Sequence, residues 1–161
     1  MSLQIRPYID ADLDAIVKLS LLAFEPVFAS FAEIMGPEIY PLVYPNWRKS
    51  QARDVAETCQ DTAKISTVVA EINGAVVGFL CYTLREKDST GEIYLLAVHP
   101  DYQNHDIGTK LNNHALQEMQ AAGMTRAEVA TGGDDSHAPA RRSYEKTGFT
   151  ALPLVRYYKK L

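Results

Sequence analysis

Residues 92–123 read EIYLLAVHPDYQNHDIGTKLNNHALQEMQAAG, and three kinds of local order follow one another along them. Ile93 to Val98 is an almost unbroken apolar run, the pattern of a strand covered on both faces. Pro100 lacks an N–H and stops the ladder. From Ile107 onward, Ile107, Leu111, Ala115, Met119 and Ala122 recur at helical spacing, and Gly123 suits the position just past a helix end. Between strand and helix lies the polar loop Gln103–Gly108. A strand that delivers a polar loop to a helix N-terminus presents free backbone N–H groups and the positive end of a dipole, which together suit a phosphate.

Upstream, Leu3–Tyr8 reads as a first strand, Asp10 as a helix cap, and Leu13, Ile16, Val17, Leu21 and Phe24 as the stripe of a helix that Pro26 ends or kinks. Residues 25–49 hold four more helix breakers, Gly36, Pro37, Pro41 and Pro45, among Phe28, Phe31, Tyr40, Tyr44 and Trp47. Two readings of this stretch stay open: a loop whose aromatics pad the core, and a lid over a substrate. A second helix is expected over Lys49–Asp61, then strands Lys64–Glu71 and Val76–Leu84 joined by Asn73-Gly74, a strong hairpin signal. Downstream, Ala127–Thr131 reads as a strand, His137–Thr147 as a helix closed by Gly148, and Pro153–Leu161 as a closing edge strand.

Two segments carry a family resemblance. LAVHPDYQNHDIGTKL is similar to the acyl-CoA-binding segment of the GNAT superfamily of N-acetyltransferases, a Val-x-Pro followed by Arg/Gln-x-x-Gly-x-Gly/Ala at a helix start. Gln103 and Gly108 match, and Asp106 stands where the first Gly is usual. HAPARRSYEKTGF, residues 137–149, resembles the family's Asn-x-x-Ala-x-x-x-Tyr-x-x-x-Gly-Phe. Ala140, Tyr144, Gly148 and Phe149 match, and His137 replaces the Asn. The order β-α-α-β-β-β-α-β-α-β agrees with that family's mixed α/β (α+β) fold, a mostly antiparallel central sheet flanked by helices, here one domain over residues 1–161.

The resemblance implies an acetyl-CoA-dependent N-acetyltransferase acting directly on a primary amine in a ternary complex. The diphosphate would meet the loop and helix start, with Gln103, Asn104, His105, Asp106, Ile107, Gly108 and Thr109 as its contacts, and His105 or Lys110 offsetting the Asp106 charge. The pantetheine arm would pair with backbone of Leu96, Ala97 and Val98, the Val98 N–H would hold the oxyanion, and His137 and Ala140 would complete the cofactor contacts. Tyr144 would protonate the departing thiolate; read from spacing alone it is equally a core aromatic. Glu92 would accept the amine's proton, and is otherwise an exposed residue at a strand start. Glu128 and Asp135 are lesser candidates, and Asp134 with Asp135 would draw a cationic acceptor.

Composition bounds the rest. A chain of 161 residues with 47% hydrophobic residues builds a full core. A net charge of −4 disfavours nucleic acid. No apolar run approaches a membrane span, and the first residues carry no signal-peptide pattern. Cys59 and Cys81 give no disulfide framework, which places the expected location in the cytoplasm. The four histidines lack the spacing of a metal site, and Cys81 lacks a histidine partner for a covalent acyl route. The expected partner is a small-molecule or peptide amine, with a homodimer left open. A non-catalytic acyl-CoA sensor of the same fold is the rival reading; a nucleotide-binding α/β domain would need Gly-x-Gly-x-x-Gly after the first strand, which is absent.

Overall fold

A computed structural model describes residues 2–161. Five strands form one sheet in sequence order: β1 (Leu3–Pro7), β2 (Ser66–Ile72), β3 (Ala75–Arg85), β4 (Thr90–Val98) and β5 (Arg126–Val129). All neighbours run antiparallel except β4 and β5, which run parallel. The β2–β3 hairpin turns on Asn73 and Gly74, both left-handed at φ 51° and 81°, as an Asn-Gly turn of the primed type requires. Helices α1 (Leu13–Val43) and α2 (Trp47–Gln60) cover one face, α3 (Ile107–Ala121) covers the other, and α4 (Ala138–Lys146) packs beside α3.

The strand alternation assigns the two faces. Val68, Ala70, Leu80 and Tyr82 turn toward Ile107, Leu111, Ala115 and Met119 of α3. Val69, Phe79, Cys81 and Ala97 turn toward Ile16 and Leu19 of α1 and Val55 and Cys59 of α2. Gly91 is small because Met119 fills the space where a Cβ would stand. Cys59 and Cys81 face one another with sulfurs 4.0 Å apart and unbonded.

Three sequence expectations change. First, residues 25–43 are helical rather than irregular. Helix α1 runs through Pro26 and bends at Gly36 (φ 74°, ψ 175°), where Pro37 starts a second segment. Proline is compatible with the first helical turn, and burial of Val27 and Phe28 holds the chain helical past Pro26. The stretch from Asp10 to Val43 is consequently long and apolar enough, at a mean hydropathy of 1.6, to cross a membrane by length and composition; here its buried face packs on β3, β4 and α2. Second, Asp10 does not cap α1 through its side chain. A short 3₁₀ turn precedes the helix, and Asp12 accepts from the Ile9 N–H at 2.9 Å. Third, residues 150–161 form no strand, and Leu152, Leu154, Val155 and Tyr157 are exposed. Among the described residues this segment meets no sheet edge to supply hydrogen bonds.

Asp12 anchors the start of α1 to the sheet. Its carboxylate, 7% exposed, receives both terminal nitrogens of Arg6 at 2.8 and 2.9 Å, and Arg6 also bonds Glu71 on β2. The guanidinium holds the Asp12 carboxyl below the ordinary carboxylate range against the opposing pull of burial, with the Ile9 N–H adding to the effect. A depressed folded value means stability that is present above the unfolded carboxyl pKa, about 3.9, and is lost as pH falls through the folded value. Asp12→Asn is expected to cost about 2 kcal/mol at pH 7 in urea unfolding, and the deficit relative to wild type should shrink in acid. A deficit independent of pH would show that the charge contributes nothing.

Candidate active site

The parallel pairing of β4 and β5 ends at Ile93 opposite Val129. Beyond it β4 continues for five residues, Tyr94 to Val98, beside β3 alone. The register slips at Tyr94, since Cys81 faces Leu95 while Tyr82 faces Ile93. That bulge bends the strand at the point where β5 leaves it. The opening is a groove of about 750 Å³ between the free side of β4, the start of α3, the residues after β5, and α4, with Phe24 and Val27 of α1 at one wall. Its volume falls within the range of small-molecule sites.

The free side of β4 offers backbone groups. The His99 N–H donates to Val77 O on β3 at 2.8 Å. Because successive residues of a strand turn their polar groups to opposite sides, Val98 turns its N–H away from β3, toward the groove. Gln103 Nε2 reaches back to the Val98 carbonyl at 3.1 Å, which fixes the loop against the strand.

The loop ends in an uncapped helix. Asn104 and Asp106 are left-handed at φ 63° and 58°. The left-handed Asp106 followed by helical Ile107 turns successive N–H groups to one side, an anion-binding concavity. The side chain of Asp106 makes no cap bond, while Lys110 N–H bonds the Asp106 carbonyl at 2.9 Å. The N–H groups of Ile107, Gly108 and Thr109 therefore lack intrahelical acceptors. The Asp106 carboxylate is turned aside to Lys146 Nζ of α4 at 2.6 Å, an exposed pair. That lysine, with Lys110 contributing at a distance, lowers the Asp106 carboxyl below its ordinary value. The counter-charge thus comes chiefly from forty residues downstream, not from His105 or Lys110. Gly108 faces Ser143, and a Cβ there would stand at an ordinary 3.4 Å from Ser143 Oγ.

Tyr144 is 8% exposed and edge-on to Phe149. Burial pushes its phenol up to about 12, which keeps it protonated at neutral pH. Beneath α4, Asn112 is fully buried and donates to Ser143 Oγ at 2.9 Å. At the other end of the groove Asp134 and His137 form a close pair. His137 Nδ1 lies 2.6 Å from Asp134 Oδ1, and their side chains are 14% and 11% exposed. Arg141 donates to the carbonyls of Gly132 and Asp134, both at 2.7 Å, and pins the loop that carries the pair.

Among the residues singled out from sequence, the groove gathers 96–98, 103, 104, 106–109, 137, 140 and 144. His105 and Glu92 fall outside it, as do Lys110, Glu128 and Asp134. His105 turns its Nδ1 back to the Gln103 carbonyl at 2.8 Å. Glu92 is ion-paired with Arg85, which also holds Glu128 at 2.7 Å and Asp88 at 3.2 Å. As a proton acceptor Glu92 is thus an ion-pair partner beside the groove, not a free carboxylate within it. Asp135 does line the groove. Sequence reasoning missed Lys146, Ser143 and Ser30, whose only signal was helical spacing or none. Among the described residues no three metal-ligating side chains converge.

Comparison with known proteins agrees with this architecture. A mycothiol acetyltransferase of Beutenbergia cavernae is 32% identical over 102 residues, 63% of this chain and 33% of that protein. The chain thus spans about a third of the length of that relative. An uncharacterized N-acetyltransferase of Archaeoglobus fulgidus is 30% identical over 106 residues, 63% of this chain and 71% of its own. Among solved structures, the PaiA N-acetyltransferase from Thermoplasma acidophilum in complex with coenzyme A superposes with a TM-score of 0.73 at 19% identity, over 94% of this chain and 92% of that one. An aminoglycoside acetyltransferase from an uncultured soil sample, in complex with sisomicin, gives 0.64 at 23% identity over 99% and 96%. At such identities the likeness is one of fold. A model of the acetyltransferase (GNAT) family matches residues 30–149, about three quarters of the sequence, and the chain belongs to that family.

Proposed function

We propose that the protein transfers an acetyl group from acetyl-CoA directly to a primary amine. The observation that carries this reading is the joining, in one groove, of an unpaired stretch of β4 to an uncapped helix start. An acyl-CoA needs both. Its diphosphate takes the N–H groups of Ile107, Gly108 and Thr109 and the positive end of α3, and its amide-bearing arm takes the free backbone side of β4, as an added strand would. The Val98 N–H is the donor for charge developing on the thioester oxygen. Tyr144, still protonated at neutral pH, is the acid for the leaving thiolate.

Relatives and neighbours suggest the acceptor class. One relative is named for mycothiol acetylation and one neighbour holds sisomicin. A panel of sisomicin, spermidine and an alanine-terminated peptide therefore samples small polyamines, sugars bearing amines, and peptide termini. The rival reading, a sensor that binds acyl-CoA without turnover, rests on the two departures from the resembled motif, Asp106 and His137; the pairing of Asp106 with Lys146 weakens the first of them. Release of free thiol from acetyl-CoA in the presence of a panel amine separates the two.

Three outcomes follow. Gly108→Val should abolish coenzyme A binding in calorimetry while leaving the fold intact, because the branched side chain closes the approach to the N–H groups; unchanged affinity would place the diphosphate elsewhere. Asp106→Gly should tighten binding a few-fold and Lys146→Ala should loosen it, since one removes a like charge and the other leaves it unopposed; the reverse order would mean that Asp106 has a supporting role. Tyr144→Phe should lower kcat by about 10²-fold, near the low end for a general acid, with the acetyl-CoA dissociation constant nearly unchanged. Equal turnover would reduce Tyr144 to a packing residue.

A further inference from the structure

Ser30 and Phe31 of α1 meet the Asp134–His137 pair of the loop before α4, Ser30 at the carboxylate and Phe31 at the ring. We propose that Asp134 and His137 are the proton-accepting pair of the acyl transfer, with His137 Nε2 as the atom that takes the proton from the acceptor ammonium. This rests on the acyl-transfer reading above.

The carboxylate is loaded on both oxygens. Oδ1 faces His137 Nδ1 at 2.6 Å. Oδ2 accepts from Ser30 Oγ at 2.7 Å, from the Ser136 N–H at 3.3 Å, and from the Ser136 hydroxyl. Burial works against the charged form, but these hydroxyls and His137 together carry the Asp134 carboxyl well below the ordinary range, so it is ionised at neutral pH. An ionised carboxylate accepts and cannot donate. The proton on a neutral His137 is therefore on Nδ1, and Nε2 carries a free lone pair. The ring is held from its face as well. Phe31 stacks on it at 5.6 Å between centroids, and Tyr44 stacks on Phe31 at the same spacing. Gly132 lies underneath, and a Cβ there would collide with both His137 Nδ1 and Asp134 Oδ1. Backbone, α1 and α4 thus all converge on one orientation of one imidazole that lines the groove. A base oriented by a third group is the arrangement general-base catalysis needs.

The charged surroundings are few. Asp134 is the charged group bonded to the ring; α1 brings the neutral Ser30 and Phe31; Arg141 of α4 is spent on two carbonyls of the loop; Asp135 and Arg142 share the groove wall. The proton count closes. The ammonium gives one proton to Nε2, the amine lone pair forms the N–C bond, and the C–S bond breaks. The thiolate takes a proton from Tyr144, the second amine proton restores the phenol, and the imidazolium returns its proton to water. The products are amide, free thiol and one proton.

The test compares pH profiles of kcat/KM for wild type, His137→Asn, Asp134→Asn and Glu92→Gln, using acetyl-CoA and the panel amine that the wild type accepts. Asn at 137 is the usual residue of the resembled motif, so it preserves a polar contact to the co-substrate while removing the base. His137→Asn and Asp134→Asn are expected to lose about 10²-fold or more at neutral pH, and His137→Asn to lose the acidic limb of the profile. The acetyl-CoA dissociation constant should move by less than about two-fold, and Glu92→Gln should keep the limb. Wild-type turnover in His137→Asn, a loss confined to acetyl-CoA affinity, or loss of the limb in Glu92→Gln alone would overturn the proposal. Nitrogen-15 NMR of the wild-type imidazole, with no acceptor present, gives an arm that needs no variant to fold. Protonated Nδ1 and bare Nε2 in the neutral ring are expected, and the opposite tautomer would overturn the pair. A wild type that binds acetyl-CoA yet acetylates no panel amine would count against the acyl-transfer reading, while the tautomer still judges the pair.

Discussion

Beyond Ile93, β4 keeps a hydrogen-bonding neighbour on one side only. Unpaired backbone inside a fold is costly unless water or a ligand satisfies it. The rest of the architecture keeps that edge open. The bulge at Tyr94 bends β4 away as β5 stops at Val129. Loop 130–137 then turns outward and is pinned there by Arg141, and α4 crosses to pack on α3 through Asn112 and Ser143. The strand ladder cannot close, because each element that would close it is bound to something else.

The same packing links the two ends of the groove. Helix α4 supplies Lys146, which neutralises Asp106 at the helix start, and Tyr144, which lies along the wall. Its preceding loop supplies the Asp134–His137 pair, which α1 clamps through Ser30 and Phe31. Helix α1 in turn is fastened to the sheet by Asp12 on Arg6 and by its apolar face on Phe79 and Cys81. A disturbance at the start of α1 is thereby expected to reach the Asp134–His137 end of the groove before the start of α3.

Local signals carried much of this. The run Ile93–Val98, Pro100 and the stripe from Ile107 defined strand, loop and helix to within a residue or two, and Asn73-Gly74 marked its hairpin correctly, because each depends on neighbours in sequence. Where the outcome depended on distant partners, the sequence was silent or misleading. Three prolines within residues 26–41 argued against a helix, yet α1 runs through Pro26 and a second helical segment starts at Pro37 after the bend at Gly36. Residues 153–161 read as a closing strand, but the fold gives them no edge to join. Asp106 looked like a liability because its partner is forty residues away, and Ser30 had no signal at all, since Asp134 lies 104 positions further on.

The central claim is that the unpaired side of β4 and the start of α3 are filled together by one acyl-CoA molecule. Hydrogen–deuterium exchange of the full chain with and without acetyl-CoA tests it most directly. The account predicts that protection rises in two separate segments, residues 95–98 and 106–109, at the same acetyl-CoA concentration, while the paired segment 90–93 is unchanged. Protection at the helix start alone, or none in either segment at saturating acetyl-CoA, would contradict it.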